Sequence, residues 1–379
     1  MKILYLTYHG FNKGSGISKK MLAQIKGLKE NGHEVHVCSY SITPKGDRCR
    51  FIDDCIIQNY GHSKWTALRP RIEFNCIFDY CKGHHVELVY ARSYMNASPP
   101  LVRLFKRFRQ YGIKSVIEIP TYPYDMEFKT LPFEHKVRLF FDKLYRKALS
   151  AQTNAIVTFS NEKMIFGQRT INISNGIDFD EIPLHQKIDS SKELHLIGVA
   201  EVHPWHGFDR LIEGLGLYYQ QNCKTKKSVY FHIVGDVWDS EMYGTKFATG
   251  FATHIKKYKI ESYVIFHGKL FGDELNKVFD QCSFAIGSLA RHRSGITYIK
   301  TLKNREYAGR GIPFIYSEND TDFDNKPYIL KAPADESPIS IEQIIQFIDS
   351  HEFNPEEIRK TIEHLSWKEQ MKQVLTSIN

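Results

Sequence analysis

The sequence predicts an α/β protein of two doubly wound, Rossmann-like lobes facing each other across a cleft. Strand-length apolar runs alternate with helix-length amphipathic stretches along the chain. The alternation restarts after a polar, turn-forming segment near the middle. The length of 379 residues, 42% hydrophobic and 25% charged, suffices for two ordinary cores.

In the first lobe, residues 2–7 read as a buried strand, 10–16 as a glycine-bearing loop and 17–30 as an amphipathic helix that Asn31-Gly32 ends as a C-cap pair. Strands are predicted at 34–39, 86–91, 115–119 and 155–159, with helices at 101–111 and 133–150. Ser174-Asn175-Gly176-Ile177-Asp178 is turn-forming and opens a linker over 174–191, so the first lobe covers 1–173 and the second 192–354. The second lobe has strands at 193–200, 229–234, 263–267, 284–287 and 313–316. Its helices fall at 208–221, 243–258, 272–281, 300–309 and 341–350. A last helix within 355–379, broken near Ser366-Trp367, crosses back towards the first lobe.

The composition narrows the function classes. No run approaches the length that spans a bilayer, and the first ten residues are too short and polar for a secretory signal, which points to a cytoplasmic protein. Seven cysteines show no C-x-x-C spacing and no histidine cluster completing a zinc site. The net charge of +8 suits nucleic acid, anionic lipid or phosphorylated substrates. No helix-turn-helix, zinc-finger or RNP-like signature accompanies it, so no nucleic-acid partner is expected.

The segment from Ser294 to Ile315 says most about chemistry. The small-residue loop Ser294-Gly295-Ile296 feeds a helix, and Gly311-Ile312-Pro313 turns into a buried strand. Backbone N–H groups at such a loop and helix start cradle anions. Glu306 sits mid-helix, where a carboxylate can take a vicinal diol such as a ribose. Phosphate plus ribose means a nucleotide. The run Arg291-His292-Arg293 adds cations, or is a solvated basic turn.

Other loops at predicted strand ends would line the same cleft. Gly14-Ser15-Gly16 lets backbone approach a ligand at a helix N-terminus, or is simply a tight turn. It is not a dinucleotide fingerprint, because Lys19 stands where the third glycine belongs. The loop holding Tyr122, Tyr124, Asp125 and Glu127 offers stacking faces and hydroxyl acceptors for a carbohydrate, or is a proline-stiffened loop with solvated acids. His206 and Arg210 lie at the next predicted helix start, where they face a diphosphate or serve the structure. The helices at 101–111 and 133–150 mix Phe and Leu with Lys and Arg. They read as surface helices with one buried face, or as contacts to an anionic membrane.

Taken in order, these motifs resemble those of the GT-B fold retaining glycosyltransferases, family 4. The resemblance runs through Gly14-Ser15-Gly16, the stretch from Pro120 to Asp125, Ser174-Asn175-Gly176-Ile177-Asp178, Trp205-His206-Gly207-Phe208-Asp209-Arg210, His232-Ile233-Val234-Gly235, Phe266-His267-Gly268, Arg305-Glu306-Tyr307 and Gly311-Ile312-Pro313. It implies transfer of a hexose-type sugar from a nucleoside-diphosphate sugar, UDP foremost, to a hydroxyl of a saccharide or lipid-linked saccharide, in surface polysaccharide synthesis. No metal and no cofactor is implied, and the protein works at most peripherally on the inner face of an anionic membrane.

Carried onto this sequence, the resemblance places Gly16 behind the diphosphate, with Gly14 and Ser15 beside it in the donor site, and the backbone around Gly268, Lys269 and Leu270 at the base. It places Glu306 on the ribose and Ser294, Gly295 and Ile296 on phosphate or sugar, with Gly235 and Tyr298 completing the donor site. The family's usual first glutamate falls on Tyr298, and its diphosphate-clamping Arg and Lys fall on Glu201 and His206. Arg293, Lys303 and Arg210 are the cations at hand to replace them. The resemblance does not choose among the three; the catalytic candidates it implies are Glu306, His206, Arg210 and Lys303. Two alternatives keep the fold: an epimerase or hydrolase of sugar nucleotides, and a degenerate sugar-nucleotide-binding partner subunit.

Overall fold

The computed structural model describes residues 1–12, 15–93, 95–125, 133–221, 227–245 and 248–378. Gly14 and Glu127 of the expected site, and Cys223, lie outside them. The chain divides into two compact units, Met1–Gly176 with Leu365–Asn379, and Ile177–His364.

The first unit is built on a nine-stranded sheet. Its strands are β1 (Lys2–Leu6), β2 (Glu34–Ile42), β3 (Arg48–Ile52), β4 (Cys55–Asn59), β5 (Leu88–Arg92), β6 (Lys114–Ile119), β7 (Ala155–Thr158), β8 (Met164–Ile165) and β9 (Gln168–Asn172). They lie in the order β4-β3-β2-β1-β5-β6-β7-β9-β8. The six from β2 to β9 are parallel, the central β1, β5, β6 and β7 being buried almost throughout, and β3, β4 and β8 pair antiparallel at the two ends. The helices are α1 (Gly16–Glu30), α2 (Arg69–Ile72), α3 (Asn75–Gly83), α4 (Pro99–Gln110) and α5 (Phe133–Ser150). Asn31 caps α1, and Gly32 follows at φ +81°.

The sequence reading gave residues 40–85 no elements. Strands β3 and β4 are short and half polar, and they meet at Asp53-Asp54, both at positive φ, a tight hairpin turn. Alternating sheet residues feed two cores. Leu4, Leu6, Ile117 and Ile156 face α3 and α4. Ile3, Tyr5, Tyr90 and Val157 face Met21 and Leu28 of α1 and the C-terminal segment from Trp367 onward.

The second unit has a wholly parallel six-stranded sheet of β10 (Glu193–Val199), β11 (Ser228–Val234), β14 (Val264–Gly268), β15 (Phe284–Ile286), β16 (Phe314–Tyr316) and β17 (Ile329–Lys331). A two-stranded ribbon, β12 (Gly244–Thr245) with β13 (Ala248–Thr249), stands apart. The main order is β14-β11-β10-β15-β16-β17. The chain starts in the middle, winds out to β14, then returns to β15 and winds out the other way. The switch point lies between β10 and β15.

Right-handed crossovers in opposite directions put helices on both faces. α6 (Phe208–Gln220) packs with both α8 (Phe251–Tyr258) and α11 (Ile341–Asp349). α9 (Gly272–Phe279) and α10 (Leu302–Arg310) pack with each other, and α12 (Pro355–Lys360) packs on α10.

Several expected elements change. The single helix expected over 243–258 is a short α7 (Asp239–Tyr243), the ribbon, and then α8, because Gly244 at φ +83° leaves the helical region. The helix expected at 300–309 starts at Leu302, after an extended Thr301. The last helical stretch is α12, a 3₁₀ turn at Glu363–Leu365 and α13 (Trp367–Ile378).

Candidate functional site

Open parallel sheets bind ligands beyond the carboxyl ends of their strands, at the switch point. In the second unit that region is laced together by backbone hydrogen bonds. Past β10 the chain makes a 3₁₀ turn, Pro204–His206, before α6. Past β15 it runs through Ser288 to a second 3₁₀ turn, Arg291–Ser294. Leu289 N–H donates to the His206 carbonyl at 2.9 Å, and Ser317 N–H, past β16, donates to the Ser288 carbonyl at 2.9 Å. Helix α10 starts beside them with no side chain capping it.

Around this point buried polar atoms lack protein partners. They include Ser288 Oγ, Thr301 Oγ1, Lys303 Nζ, both amide atoms of Asn304 and both carboxylate oxygens of Glu318. Ser288 and Asn304 are fully buried and Glu318 is 2% exposed. A folded chain leaves few such atoms unsatisfied, and each costs free energy unless something else binds it. Burial pushes Lys303 down to about 7, with Arg291 adding to the effect and Glu318 opposing it. Burial pushes Glu318 up to about 7, against the pull of Arg291 and Lys303. The two sense each other's charge yet form no ion pair.

The expected cations sort themselves. Arg210 is 2% exposed and spent on the fold: its guanidinium donates to the carbonyls of Ser337 (2.7 Å), Pro333 (3.1 Å) and Leu289 and to Asp335 (3.2 Å). Arg293 grips Asp209 (2.8 and 3.0 Å), Glu336 and the Pro204 carbonyl (2.9 Å). Neither keeps the free guanidinium a diphosphate clamp needs. His206 is buried, its Nδ1 accepts from His203 N–H at 2.9 Å, and burial with the nearby Lys303 and Arg291 holds it far below the ordinary histidine range. It is a neutral cap rather than a cation. Of the expected cations Arg210, Arg293 and Lys303, only Lys303 has no hydrogen-bond or ion-pair partner.

Glu306 follows Lys303 by one turn, on the same side of α10. Arg310 engages its Oε1 at 2.9 Å, and Oε2 has no protein partner. Tyr298 bonds Thr321 Oγ1 through its hydroxyl at 2.8 Å. The expected free N–H cradle is partly closed: Gly295 N–H donates to the His292 carbonyl, and Ser294 Oγ to the Arg291 carbonyl. Ile296 lies beyond, outside α10, which starts only at Leu302 after an extended Thr301.

Gly235, at φ +125°, has the Ala200 carbonyl within 1.8 Å of where a Cβ would stand, so the fold itself demands glycine there. Its N–H donates to the Gly268 carbonyl at 2.7 Å. Gly268 and Lys269 are exposed, Lys269 pairs with Asp236, and Leu270 is half-buried.

In the first unit Ser15 caps α1 by accepting from Ser18 N–H, and open space surrounds Gly16. Tyr124 and Asp125 do not present themselves to an acceptor as expected. Tyr124 is buried and donates to Asp142 at 2.6 Å, and Asp125 is held by Arg146 (2.7 Å) and Lys143 (3.1 Å). Tyr122 is half-buried, its ring edge-on to Phe166.

The residues that sequence reasoning missed are Glu318, Asn304, Ser288 and Thr301. One signal was available: the polar run Ser317-Glu318-Asn319-Asp320 follows directly on a buried parallel strand. Among the described residues no cluster of His, Cys, Asp and Glu is arranged to hold a metal ion.

No protein-family model matches the sequence, and no curated protein matches it. Solved structures do. The chain is similar to sucrose-phosphate synthase from Thermosynechococcus elongatus at 13% identity and TM-score 0.58, covering 100% of this chain and 95% of that one. It is similar to a trehalose-6-phosphate protein from E. coli bound with UDP-2-fluoro glucose (11%, 0.58, 100% and 99%). It is also similar to an α-glucosyltransferase in complex with UDP and DNA (13%, 0.55, 100% and 99%). At these identities the similarity speaks to architecture, and over its whole length the chain has the GT-B fold.

Proposed function

We propose that the chain is a glycosyltransferase that moves a hexose-type sugar from a nucleoside-diphosphate sugar, UDP foremost, to a hydroxyl of a saccharide acceptor. The observation that carries this reading is the gathering of unpartnered buried polar groups at the switch point of the second sheet. Lys303 and the uncapped start of α10 supply positive potential for the diphosphate, whose charge grows as the glycosidic bond loosens. Binding there favours the protonated form of Lys303. Glu306, through its free Oε2, takes the ribose hydroxyls. In this reading the protein's own cation and helix end do the work that a metal does elsewhere, and the sugar keeps its anomeric configuration as in the enzymes the sequence resembles.

A lipid-linked acceptor at the inner face of a membrane, as in surface polysaccharide synthesis, fits α5. Val137, Phe140, Phe141 and Leu144 form an exposed apolar stripe there, bordered by the exposed Lys136, Lys143 and Lys147. No described helix is long and apolar enough to cross a membrane.

A thermal-shift screen against UDP-, GDP-, dTDP- and ADP-sugars tests the reading. One nucleotide class should raise the melting temperature by several degrees, and Glu306→Ala should lose most of that shift. No shift from any of them overturns the proposal. A second reading, a sugar-nucleotide binder without turnover, is favoured by Tyr298 being bonded to Thr321 and by Glu201 standing where the resemblance expects an arginine. Release of nucleoside diphosphate on adding acceptors decides between the two.

A further inference from the structure

The unpartnered groups near α10 are not all of one kind. Lys303 and the helix start suit an anion. Glu318 does not: a carboxylate 2% exposed with both oxygens unpartnered would repel a diphosphate. Its natural partner is a neutral group that donates hydrogen bonds. Asn304, fully buried, offers both a donor and an acceptor, and Ser288 offers a hydroxyl that can do either. The two lie close together, since a Cβ on Gly287, next to Ser288, would stand 3.0 Å from Asn304 Oδ1. Glu318 comes beside Ser288 because Ser317 N–H donates to the Ser288 carbonyl. A polyhydroxylated, uncharged group attached to a phosphate would satisfy both ends.

Building on the glycosyltransferase reading, we propose that Glu318, with Asn304 and Ser288, holds the hydroxyls of the sugar to be transferred and so determines which sugar is accepted. Glu318 comes from the loop after β16, which lies beside the approach to α10: Ile299 N–H donates to the Asn319 carbonyl. The ionised carboxylate accepts from sugar hydroxyls, while Asn304 and Ser288 fix their orientation. Burial brings both groups to about 7 in the free protein, Glu318 with Asp320 and against Arg291 and Lys303, and Lys303 with Arg291 and against Glu318, so sugar binding drives Glu318 towards its ionised form and phosphate binding drives Lys303 towards its protonated form.

Isothermal titration of the full chain with UDP, UDP-glucose, UDP-galactose and UDP-N-acetylglucosamine, on wild type and Glu318→Gln, tests this. The variant should bind UDP within twofold of wild type and bind the preferred UDP-sugar about tenfold more weakly, with discrimination among the sugars flattened. Repeated at pH 7 in two buffers of different ionisation enthalpy, the UDP-sugar should release more protons than UDP from wild type and no more than UDP from the variant. Equal weakening of UDP and UDP-sugar, or an unchanged preference, overturns the assignment. Ser288→Ala, a smaller change expected to weaken the UDP-sugar alone, serves if Glu318→Gln does not fold. Wild type binding none of these nucleotides brings down the assignment and the UDP reading with it. Wild type binding a UDP-sugar with no dependence on Glu318 or Ser288 brings down the assignment only.

Discussion

Lys303 and Glu318 each cost the ligand-free protein stability, and the pH dependence follows from their direction of shift. A lysine depressed to about 7 penalises the folded state in full below about pH 7, and the penalty fades as pH rises towards its ordinary value of 10.5. A glutamate raised to about 7 adds no penalty below its ordinary 4.5, an increasing one up to about 7, and a full one above. Lys303→Met should therefore stabilise the free protein at pH 6.5 by on the order of 2 kcal/mol, and by less at pH 9. The same variant should lose most of the nucleotide-induced shift. Denaturant titration at both pH values checks this; a variant less stable than wild type at pH 6.5 would show that Lys303 is structural. What was legible at this scale was chemistry with a local signature. Glu306 follows a loop and helix start that the sequence shows. The fates of Arg210 and Arg293 did not show, because their acceptors at Pro333, Asp335, Glu336 and Ser337 come from a distant loop.

Among the elements, α5 carries the exposed stripe on which the proposed membrane contact rests. Its stripe Val137, Phe140, Phe141 and Leu144 recurs at helical spacing and stays exposed, with Phe140 59% and Leu144 56% accessible. Its amphipathic, basic character was readable from sequence. Which apolar residues stay outside was not, since Leu139 and Leu149 of the same helix are buried. The double variant Phe140→Ser, Phe141→Ser removes two exposed rings and no charge. It should weaken binding to vesicles containing phosphatidylglycerol at least tenfold, and leave the melting temperature and the nucleotide-induced shift in place. Co-sedimentation with anionic and with pure phosphatidylcholine vesicles measures this. Equal, undiminished binding of wild type and variant would assign any association to charge alone. Elsewhere element-level reading failed where glycine interrupts periodicity, as at Gly244, and where edge strands are half polar, as in β3 and β4.

At the scale of the molecule, the two units keep separate cores, and the first is completed by the last segment of the chain. Trp367, Met371, Val374 and Leu375 of α13 are buried against Met21 and Leu28 of α1. The approach is close enough that a Cβ on Gly27 would stand 2.7 Å from the Trp367 backbone, and one on Gly176 would stand 2.4 Å from its ring. The sequence shows Trp367 opening an amphipathic stretch; the glycines that admit it are remote in sequence and say nothing about each other locally. Lys20, ion-paired to the buried Glu118 at 3.2 Å, also lies under the Trp367 ring. Trp367→Ala would leave a cavity beside that pair and should cost the first unit about 3–5 kcal/mol. Because the unpartnered groups around α10 belong wholly to the second unit, the nucleotide should still protect that unit. Calorimetry of the variant should therefore show an early transition insensitive to UDP and a later one that UDP raises as in wild type. A single transition that UDP no longer moves would mean that the donor site depends on the first unit's integrity and is not complete within residues 177–364.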